Sequence, residues 1–325
     1  MVEQRVCETV ACESRAPQSA KKRKSALKRR KNIVGWAFIA LPLIGTFVFS
    51  ILPTLMSLYL SMTFWRGYTP IWQAEWRGFE NFYNVLFGVY SREFYRSILN
   101  TVILLIQLPV SMFLSLLLAV ALNRDMAGTG FFRVVYYIPS LVTSVVVVLI
   151  FQNLFDTNGI INQALSLIGV DKVSWLSVPG RSSVVIITLS VWKNIGGTLL
   201  MYMAGLQGVS GEYYEAARLD GASAATMFFK ITLPLLQPMT FYLLITGIIG
   251  GFQAFNEPYL MFPYNYGFGP ESSTETVMVF MYYQYSQNSM MGIASAISWV
   301  LALIIFIITA VQFLYNRHKD KEVNG

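Results

Sequence analysis

Six long apolar runs, separated by polar and aromatic-rich segments, dominate the pattern of this 325-residue chain. A membrane-spanning α-helix needs about 20 consecutive, largely apolar residues, and each run approaches or exceeds that length. The runs are Ile33–Leu60, Ser97–Leu122, Val134–Phe155, about Ser182–Gly205, Ile231–Asn256 and about Met291–Tyr315. Prolines within them are compatible with membrane helices, because neighbouring helices satisfy the freed backbone groups. The pattern predicts an all-α, polytopic bundle with about six spanning helices.

The composition agrees with a membrane protein and argues against an enzyme. Hydrophobic residues make up 55% of the chain and charged residues only 13%, whereas a soluble domain carries about 25% charge. An enzyme embedded in the membrane would need clustered His, Asp, Glu or Cys within its spans, and none of the six runs contains these residue types. We therefore expect no catalytic residue and no metal site in this chain.

Basic residues near the N-terminus indicate the orientation. Eight lysines and arginines, and no acidic residue, lie between Lys21 and Lys31, directly before the first run. Such a block favours the cytosolic side of a membrane over nucleic-acid binding. The first run is too long for the apolar core of a cleavable signal peptide. We expect a disordered cytosolic tail at 1–31, a membrane domain at 32–316 and a cytosolic tail at 317–325, with both termini inside a bacterial cell membrane.

The segment between the fourth and fifth runs, about 206–234, is longer than a plain connector requires. Ser210 and Ser223 are each placed to cap a short amphipathic helix, and Gly221 offers the left-handed residue that ends the first one. Pro234 is expected to close the second helix, which should extend through Lys230. The segment therefore reads as two short helices that form a docking surface on the cytosolic side.

The same segment carries a complete sequence motif. Its fixed positions are Glu215, Ala216, Ala217, Gly221, Ile231, Leu233 and Pro234. They resemble, at every fixed residue and spacing, the EAA motif of ABC importer permeases, which reads EAA, three residues, G, nine residues, I, one residue, LP. A lone EAA would be weak, because glutamate and alanine are common in helices, but the whole pattern before the penultimate span is specific.

The likeness extends over roughly Gly35 to the end and favours carbohydrate uptake. Trp192, Gly205-Leu206-Gln207 and Tyr213–Ser223 resemble the permeases of the maltose, glycerol-phosphate and multiple-sugar systems. Gly159-Ile160-Ile161-Asn162 with Trp175-Leu176 is similar to the F-type maltose subunit. The chain departs from the family at Ser210-Gly211, where a proline often precedes the acidic residue, and at Phe268-Gly269-Pro270, where Gly-Gly-Pro is usual. Both departures weaken inference about the particular sugar.

The resemblance implies partners and a division of labour. The EAA helix would dock on a cytosolic ABC ATPase dimer, with Glu215 pairing with a basic residue there or bracing the loop; a helix cap or plain surface charge is the alternative. A second homologous permease, an extracellular solute-binding protein and the lipid bilayer complete the expected partners, and nucleic acid is not among them. The chain has no phosphate-binding G-x-x-x-x-G-K-[ST] run. ATP and Mg²⁺ would therefore bind the ATPase, and this chain would bind no cofactor.

Polar residues inside spans mark candidate pathways, because they are costly in lipid. The candidates are Lys193, Asn194 and Gly197 in the fourth run, and Phe252, Gln253 and Asn256 in the fifth. Asn194, Gly197, Phe252 and Gln253 are similar in position to the pathway residues of maltose-type permeases. Alternatively, Lys193 snorkels or pairs with a neighbouring subunit, and the amides only bridge helices. Glu257, just before Pro258, is expected to be a solvated turn residue, with contact to a solute-binding protein as the alternative.

These patterns predict the permease subunit of an ATP-driven importer that translocates a di- or oligosaccharide. A permease for another solute, such as glycerol phosphate, is the first alternative, although Lys193 is the only basic residue in the predicted pathway. A channel unrelated to ABC transporters is the second, and it would leave the EAA pattern unexplained. The pattern alone does not distinguish a heterodimeric from a homodimeric pair of permeases, but the F-type resemblance implies that the partner is a different chain.

Overall fold

A computed structural model describes residues 35–36, 38–123 and 128–324 of the chain. The basic block between Lys21 and Lys31 and the rest of the 1–31 tail lie outside the described residues. Two compact units are distinguished, Met1–Tyr59 and Leu60–Gly325. All candidate pathway and motif residues lie in the second unit, and the described residues of the first, 35–36 and 38–59, are helical.

The described residues are overwhelmingly helical, which confirms the predicted all-α class. The helices are α1 (Phe38–Ser61), α2 (Glu80–Leu86), α3 (Ser91–Leu104), α4 (Gln107–Leu122), α5 (Thr129–Leu141), α6 (Ser144–Leu154), α7 (Ile160–Leu167), α8 (Arg181–Gln207), α9 (Gly211–Leu219), α10 (Ala224–Leu235), α11 (Gln237–Phe252), α12 (Asn256–Met261), α13 (Val277–Ser286) and α14 (Met291–Asn324). Two short strands, β1 (Thr63–Phe64) and β2 (Glu75–Trp76), pair antiparallel between α1 and α2.

Four helical segments are long and apolar enough to cross a membrane: α1, the α3–α4 segment Ser91–Leu122, α8, and Met291–Arg317 of α14. The pairs α5–α6 and α10–α11 also pass this test when each pair is counted as one bent span. The described residues thus supply four to six candidate spans, in agreement with the number that the apolar runs predict. Helix α14 continues without a break through the segment 317–324.

The third apolar run, Val134–Phe155, is not one straight helix. It divides into α5 and α6, which are bent by 98° relative to each other. Pro139 lies inside the last turn of α5, and Val142 and Thr143 adopt extended backbone angles. A proline removes a helical hydrogen-bond donor and crowds the preceding turn, and here the chain leaves the helix three residues after it.

Helix α10, the second helix of the 206–234 segment, ends later than the sequence predicts. Instead of stopping near Lys230, α10 continues to Leu235 through a π-helical turn at Phe228–Thr232. Pro234 occupies the first turn of the last α-helical piece, where its missing N–H is tolerated. The break falls at Leu236, and α11 leaves at 63° to α10.

Helix α8 is central to the packing of the second unit. Its one end packs with α6 through Val185, Ile186 and Leu189, and its other end packs with α4 through Leu199, Tyr202 and Met203. At Gly196 the backbone of α5 comes so close that an added Cβ would lie 2.7 Å from the Tyr137 Cα. The fourth apolar run therefore packs against three neighbouring helices, while large apolar side chains on it, such as Val184 and Trp192, remain exposed.

The segment between α1 and α3 is fastened to the start of α14. The Asn81 amide donates hydrogen bonds to the carbonyls of Ser61 at 2.9 Å and Thr63 at 2.8 Å. The Met291 N–H donates to the Trp65 carbonyl at 3.2 Å. These bonds tie α2 to Ser61 and Thr63, and Trp65 to the first residue of α14.

Candidate functional site

Helix α9 carries the EAA residues and is defined at both ends by local hydrogen bonds. The Ser210 hydroxyl accepts from the Glu212 N–H at 3.4 Å, as expected for an N-cap. At the other end Gly221 has φ +76°. The Gly221 N–H bonds the Arg218 carbonyl at 3.1 Å, and the Ala222 N–H bonds the Ala217 carbonyl at 2.9 Å, which is the Schellman pattern. The ends of this helix therefore follow from the sequence.

The surface of α9 is open to its surroundings. None of its residues is buried, and Leu219 is 90% exposed and Tyr213 57% exposed. Glu215 and Ala216 are exposed as well, while Ala217 is half-buried. An exposed helix with large apolar side chains and small alanines is suited to contact another protein.

One hydrogen bond joins the two halves of the motif. The Tyr214 hydroxyl, next to Glu215, lies 3.0 Å from the hydroxyl of Thr232, next to Ile231. Thr232 is buried, whereas Ile231 is half-buried and Leu233 and Pro234 are exposed. The short helix is thus held against α10 by its inner side, so a force applied to α9 has a defined contact through which to reach α10.

A cavity of about 420 Å³ lies between α4, α8, α11 and the start of α12. Four of the predicted pathway residues line it: Lys193, Asn194, Gln253 and Asn256. Gly197 is not among its lining residues, although the space beside its Cα is open. The structure therefore brings together polar residues from the fourth and fifth runs that are about 60 positions apart in the chain.

Phe252 lies elsewhere than the sequence analysis expects. It is 4% exposed and packs in an apolar cluster with Phe280 and Ile297. Phe255 lines the cavity instead, and its ring stacks on Tyr259 at 4.9 Å between centroids. The predicted fifth run extends to Asn256, but α11 ends at Phe252. The residues after Phe252 therefore do not follow helical spacing, and their side chains point in other directions than a continuous helix would give. The spacing of the two phenylalanines alone does not show where that helix stops.

Lys193 forms an ion pair within the same chain. Its Nζ lies 2.8 Å from Glu257 Oε1, and the two side chains are 20% and 19% exposed. The ammonium also donates to the Ser144 hydroxyl at 2.5 Å, which in turn donates to Glu257 Oε1 at 3.2 Å. The expectation that Glu257 is a solvated turn residue is therefore wrong, and snorkelling or a contact with another subunit is not needed to satisfy Lys193. Sequence reasoning missed this pair because its partners are 64 residues apart.

A second ion pair fixes the segment that leads into α13. Arg96 donates to Glu275 Oε2 through Nη2 at 2.6 Å and through Nε at 3.1 Å. Glu275 is 1% exposed, and this burial raises the pKa of its carboxyl to about 7 despite the opposing effect of Arg96. The Asn100 amide donates to the Ser272 and Glu275 carbonyls at 2.7 and 3.1 Å. Nothing in the local sequence around Glu275 signals this burial.

Among the residues that the structure describes, no group of three or more His, Cys, Asp or Glu side chains could hold a metal ion. The polar lining of the cavity consists mainly of amides and hydroxyls, and the Asn194 amide donates to Gln107 Oε1 at 3.0 Å. Such a surface can exchange hydrogen bonds with a polyhydroxylated molecule, and Phe255 offers a ring face beside it.

Comparison with known proteins gives consistent results. A family model described as "binding-protein-dependent transport system inner membrane component" matches residues 111–323. A probable ABC transporter permease of Bacillus subtilis is 33% identical over 90% of this chain and 93% of its own length. A lactose transport system permease of Rhizobium radiobacter is 30% identical, over 91% of this chain and 98% of its own length. A trehalose/maltose transport system permease of Thermococcus litoralis is 31% identical, over 91% of this chain and 97% of its own length.

The fold is also similar to one that has been solved. A chain in the crystal structure of a bacterial alginate ABC transporter, in complex with a periplasmic protein that binds an alginate pentasaccharide, superposes with a TM-score of 0.74. The two sequences are 22% identical, and the match covers 87% of this chain and 93% of the other. This likeness concerns the architecture of the helices and does not extend to the ligand.

Proposed function

Because this chain belongs to the family of binding-protein-dependent transport system inner membrane components, we propose that it is the permease subunit of an ATP-driven ABC importer that translocates a di- or oligosaccharide. The observation that carries the proposal is the complete EAA pattern, whose Glu-Ala-Ala part lies on an exposed helix that is capped at both ends. Two relatives with 30% identity or more, whose names specify lactose and trehalose/maltose transport, support a sugar as the substrate.

The proposal assigns the remaining tasks to other subunits. A cytosolic ABC ATPase dimer would hold ATP and Mg²⁺ and receive α9, and an extracellular solute-binding protein would deliver the sugar. A second homologous permease, in our proposal a different chain, would complete the membrane domain. The chain would lie in a bacterial cell membrane with both termini in the cytosol, so that the segment carrying α9 faces the ATPase.

The structure suggests how motion of the ATPase would reach the sugar. Displacement of α9 would act on α10 through the Tyr214–Thr232 hydrogen bond. Helix α10 connects through the bend at Leu236 to α11, which lines the cavity along Leu243–Gly251. A short helix that is fixed at its ends can move as a rigid body, so closure of the ATPase would be converted into a change in the cavity wall.

Co-purification with the ATPase tests the proposed coupling role. We would express the full complex, purify it by a tag on this chain, and compare wild type with Glu215→Ala and Gly221→Pro. Proline is incompatible with φ +76° at position 221, so this variant displaces the end of α9. We expect both variants to lose most of the ATPase while retaining the second permease.

Glu212→Ala is the matched control, because Glu212 is an exposed glutamate on the same helix that lies outside the motif. It should retain the ATPase at the wild-type level. ATPase retained equally in Glu215→Ala and Gly221→Pro would contradict the docking role of α9, because the ATPase would then be held by contacts elsewhere in the complex.

A further inference from the structure

The charge of the cavity is set by two residues. Among the described residues that line it, Lys193 and Glu257 are the only ones that carry a formal charge, and they pair with each other. We infer that Glu257 is a specificity-determining residue, which cancels the charge of Lys193 so that the cavity accepts neutral saccharide chains and disfavours acidic ones. The inference rests on the proposed function, since it specifies the chemical class of the sugar.

The pair is built from three separate parts of the fold. Ser144 begins α6, Lys193 lies in the middle of α8, and Glu257 lies in the first turn of α12. Ser144 contacts both charged groups, and both charged side chains are about four-fifths buried. Each charge therefore has a partner at hydrogen-bonding distance, and neither needs a ligand to compensate it.

The rest of the lining would recognise a neutral sugar. Asn194, Gln253 and Asn256 are exposed at the cavity and offer amide donors and acceptors. Ser190, Thr198 and Thr246 supply hydroxyls. These groups match the hydroxyls of a saccharide, which are also both donors and acceptors. The described residues of the lining include no arginine, the side chain that binds carboxylates in a bidentate manner.

An acidic sugar would disturb this balance. To bind Lys193, a uronate carboxylate would have to displace Glu257 and leave that buried carboxylate without its partner. If the ion pair stayed intact, the uronate carboxylate would enter a cavity that offers it no unpaired positive charge. Either arrangement opposes binding, and at the effective dielectric of a partly buried site we expect a difference of about tenfold or more between neutral and acidic chains of equal length.

A binding measurement without the solute-binding protein tests this directly, because it removes selection by that partner. The complete membrane complex with its ATPase would be placed in lipid nanodiscs, and saturation-transfer NMR would be recorded with maltotriose as the neutral probe and trigalacturonate as the acidic probe. In wild type we expect the signal from maltotriose to exceed that from trigalacturonate by at least about fivefold.

Three variants separate charge cancellation from simple contact. Glu257→Gln leaves Lys193 unpaired, and the signal from trigalacturonate should rise at least about fivefold. Lys193→Met leaves a lone carboxylate and should not gain that signal. The double variant, Lys193→Met with Glu257→Gln, restores a neutral cavity and should again prefer maltotriose. Glu80→Gln removes an exposed carboxylate outside both the cavity and α9, and it should match wild type.

The outcomes distinguish the inference from the proposed function. Equal signals for both sugars in wild type, or no gain for trigalacturonate in a Glu257→Gln complex that still assembles, would overturn the role of Glu257 but leave a sugar permease standing. No signal for either sugar in any variant, with the ATPase still bound, would overturn the assignment of a sugar substrate itself.

Discussion

Two adjacent glycines in α8 differ sharply in what surrounds them. A Cβ added at Gly196 would press into the backbone of Tyr136 and Tyr137 in α5, whereas one added at Gly197 would meet no atom within 4 Å. We expect Gly196→Ala to destabilise the protein by about 1–3 kcal/mol, since two backbones would have to move apart. Thermal unfolding in detergent should show a lowered midpoint.

Gly197→Ala is the matched control for that prediction. It makes the same chemical change one position along the same helix, and alanine is favoured over glycine in a helix interior by about 0.5–1 kcal/mol. Its midpoint should stay unchanged or rise. A similar loss in both variants would show that α8 and α5 are not in close contact at Gly196.

At the level of single residues, the sequence predicts structure best where the signal is local. Ser210, Gly221 and Ser223 lie where caps and a left-handed turn are expected, because these features depend only on neighbouring backbone groups. The partner of Lys193 could not be predicted in the same way. Glu257 reaches it only because α8 and α12 pack together, which no local pattern records.

At the scale of elements, the segment before α13 is held by a buried carboxyl whose ionisation depends on pH. The pKa of Glu275 is raised from about 4.5 to about 7 by burial. A raised pKa means that the fold favours the protonated form, so the stabilising contribution is complete below pH 4.5 and is lost as the pH rises through 7. The shift corresponds to a loss on the order of 3 kcal/mol.

Glu275→Gln tests this because glutamine cannot ionise. The stability of wild type relative to this variant should fall between pH 5 and pH 8, as measured by thermal unfolding of the solubilised protein at each pH. Glu80→Gln removes an exposed carboxylate that pairs with Arg77, and its difference from wild type should be nearly flat over the same range. If the stability difference between wild type and Glu275→Gln stayed constant over this range, Arg96 would be keeping the carboxylate ionised throughout.

The bends between helices show the limit of reading elements from apolar runs. Hydropathy locates the run Val134–Phe155 and the sequence shows Pro139 within it, yet a proline is compatible with a straight span, a kink or a break. The 98° bend depends on the extended angles of Val142 and Thr143. Likewise, the π-helical turn at Phe228–Thr232 shifts the break from Pro234 to Leu236.

For the whole molecule, the family and the all-α class were predictable because they depend on signals that do not require a three-dimensional contact. Length and hydropathy of the runs set the number of spans, and the EAA residues identify the family through fixed spacing alone. The shape of the cavity was not predictable, because Gln107, Lys193 and Gln253 come from three different runs and meet only in the packed bundle.

The orientation of the whole chain is a prediction that the native cysteines can test. The chain has two cysteines, Cys7 and Cys12, and both precede the basic block that we place in the cytosol. A membrane-impermeant maleimide should therefore leave the wild-type protein unlabelled in intact cells and label it in inverted membrane vesicles.

As a control, Asp171→Cys in a variant with serine at positions 7 and 12 adds a thiol to the exposed segment between α7 and α8, which is expected on the opposite side. It should show the reverse result. Labelling of the native cysteines in intact cells would place the N-terminus outside, and α9 could then not reach a cytosolic ATPase.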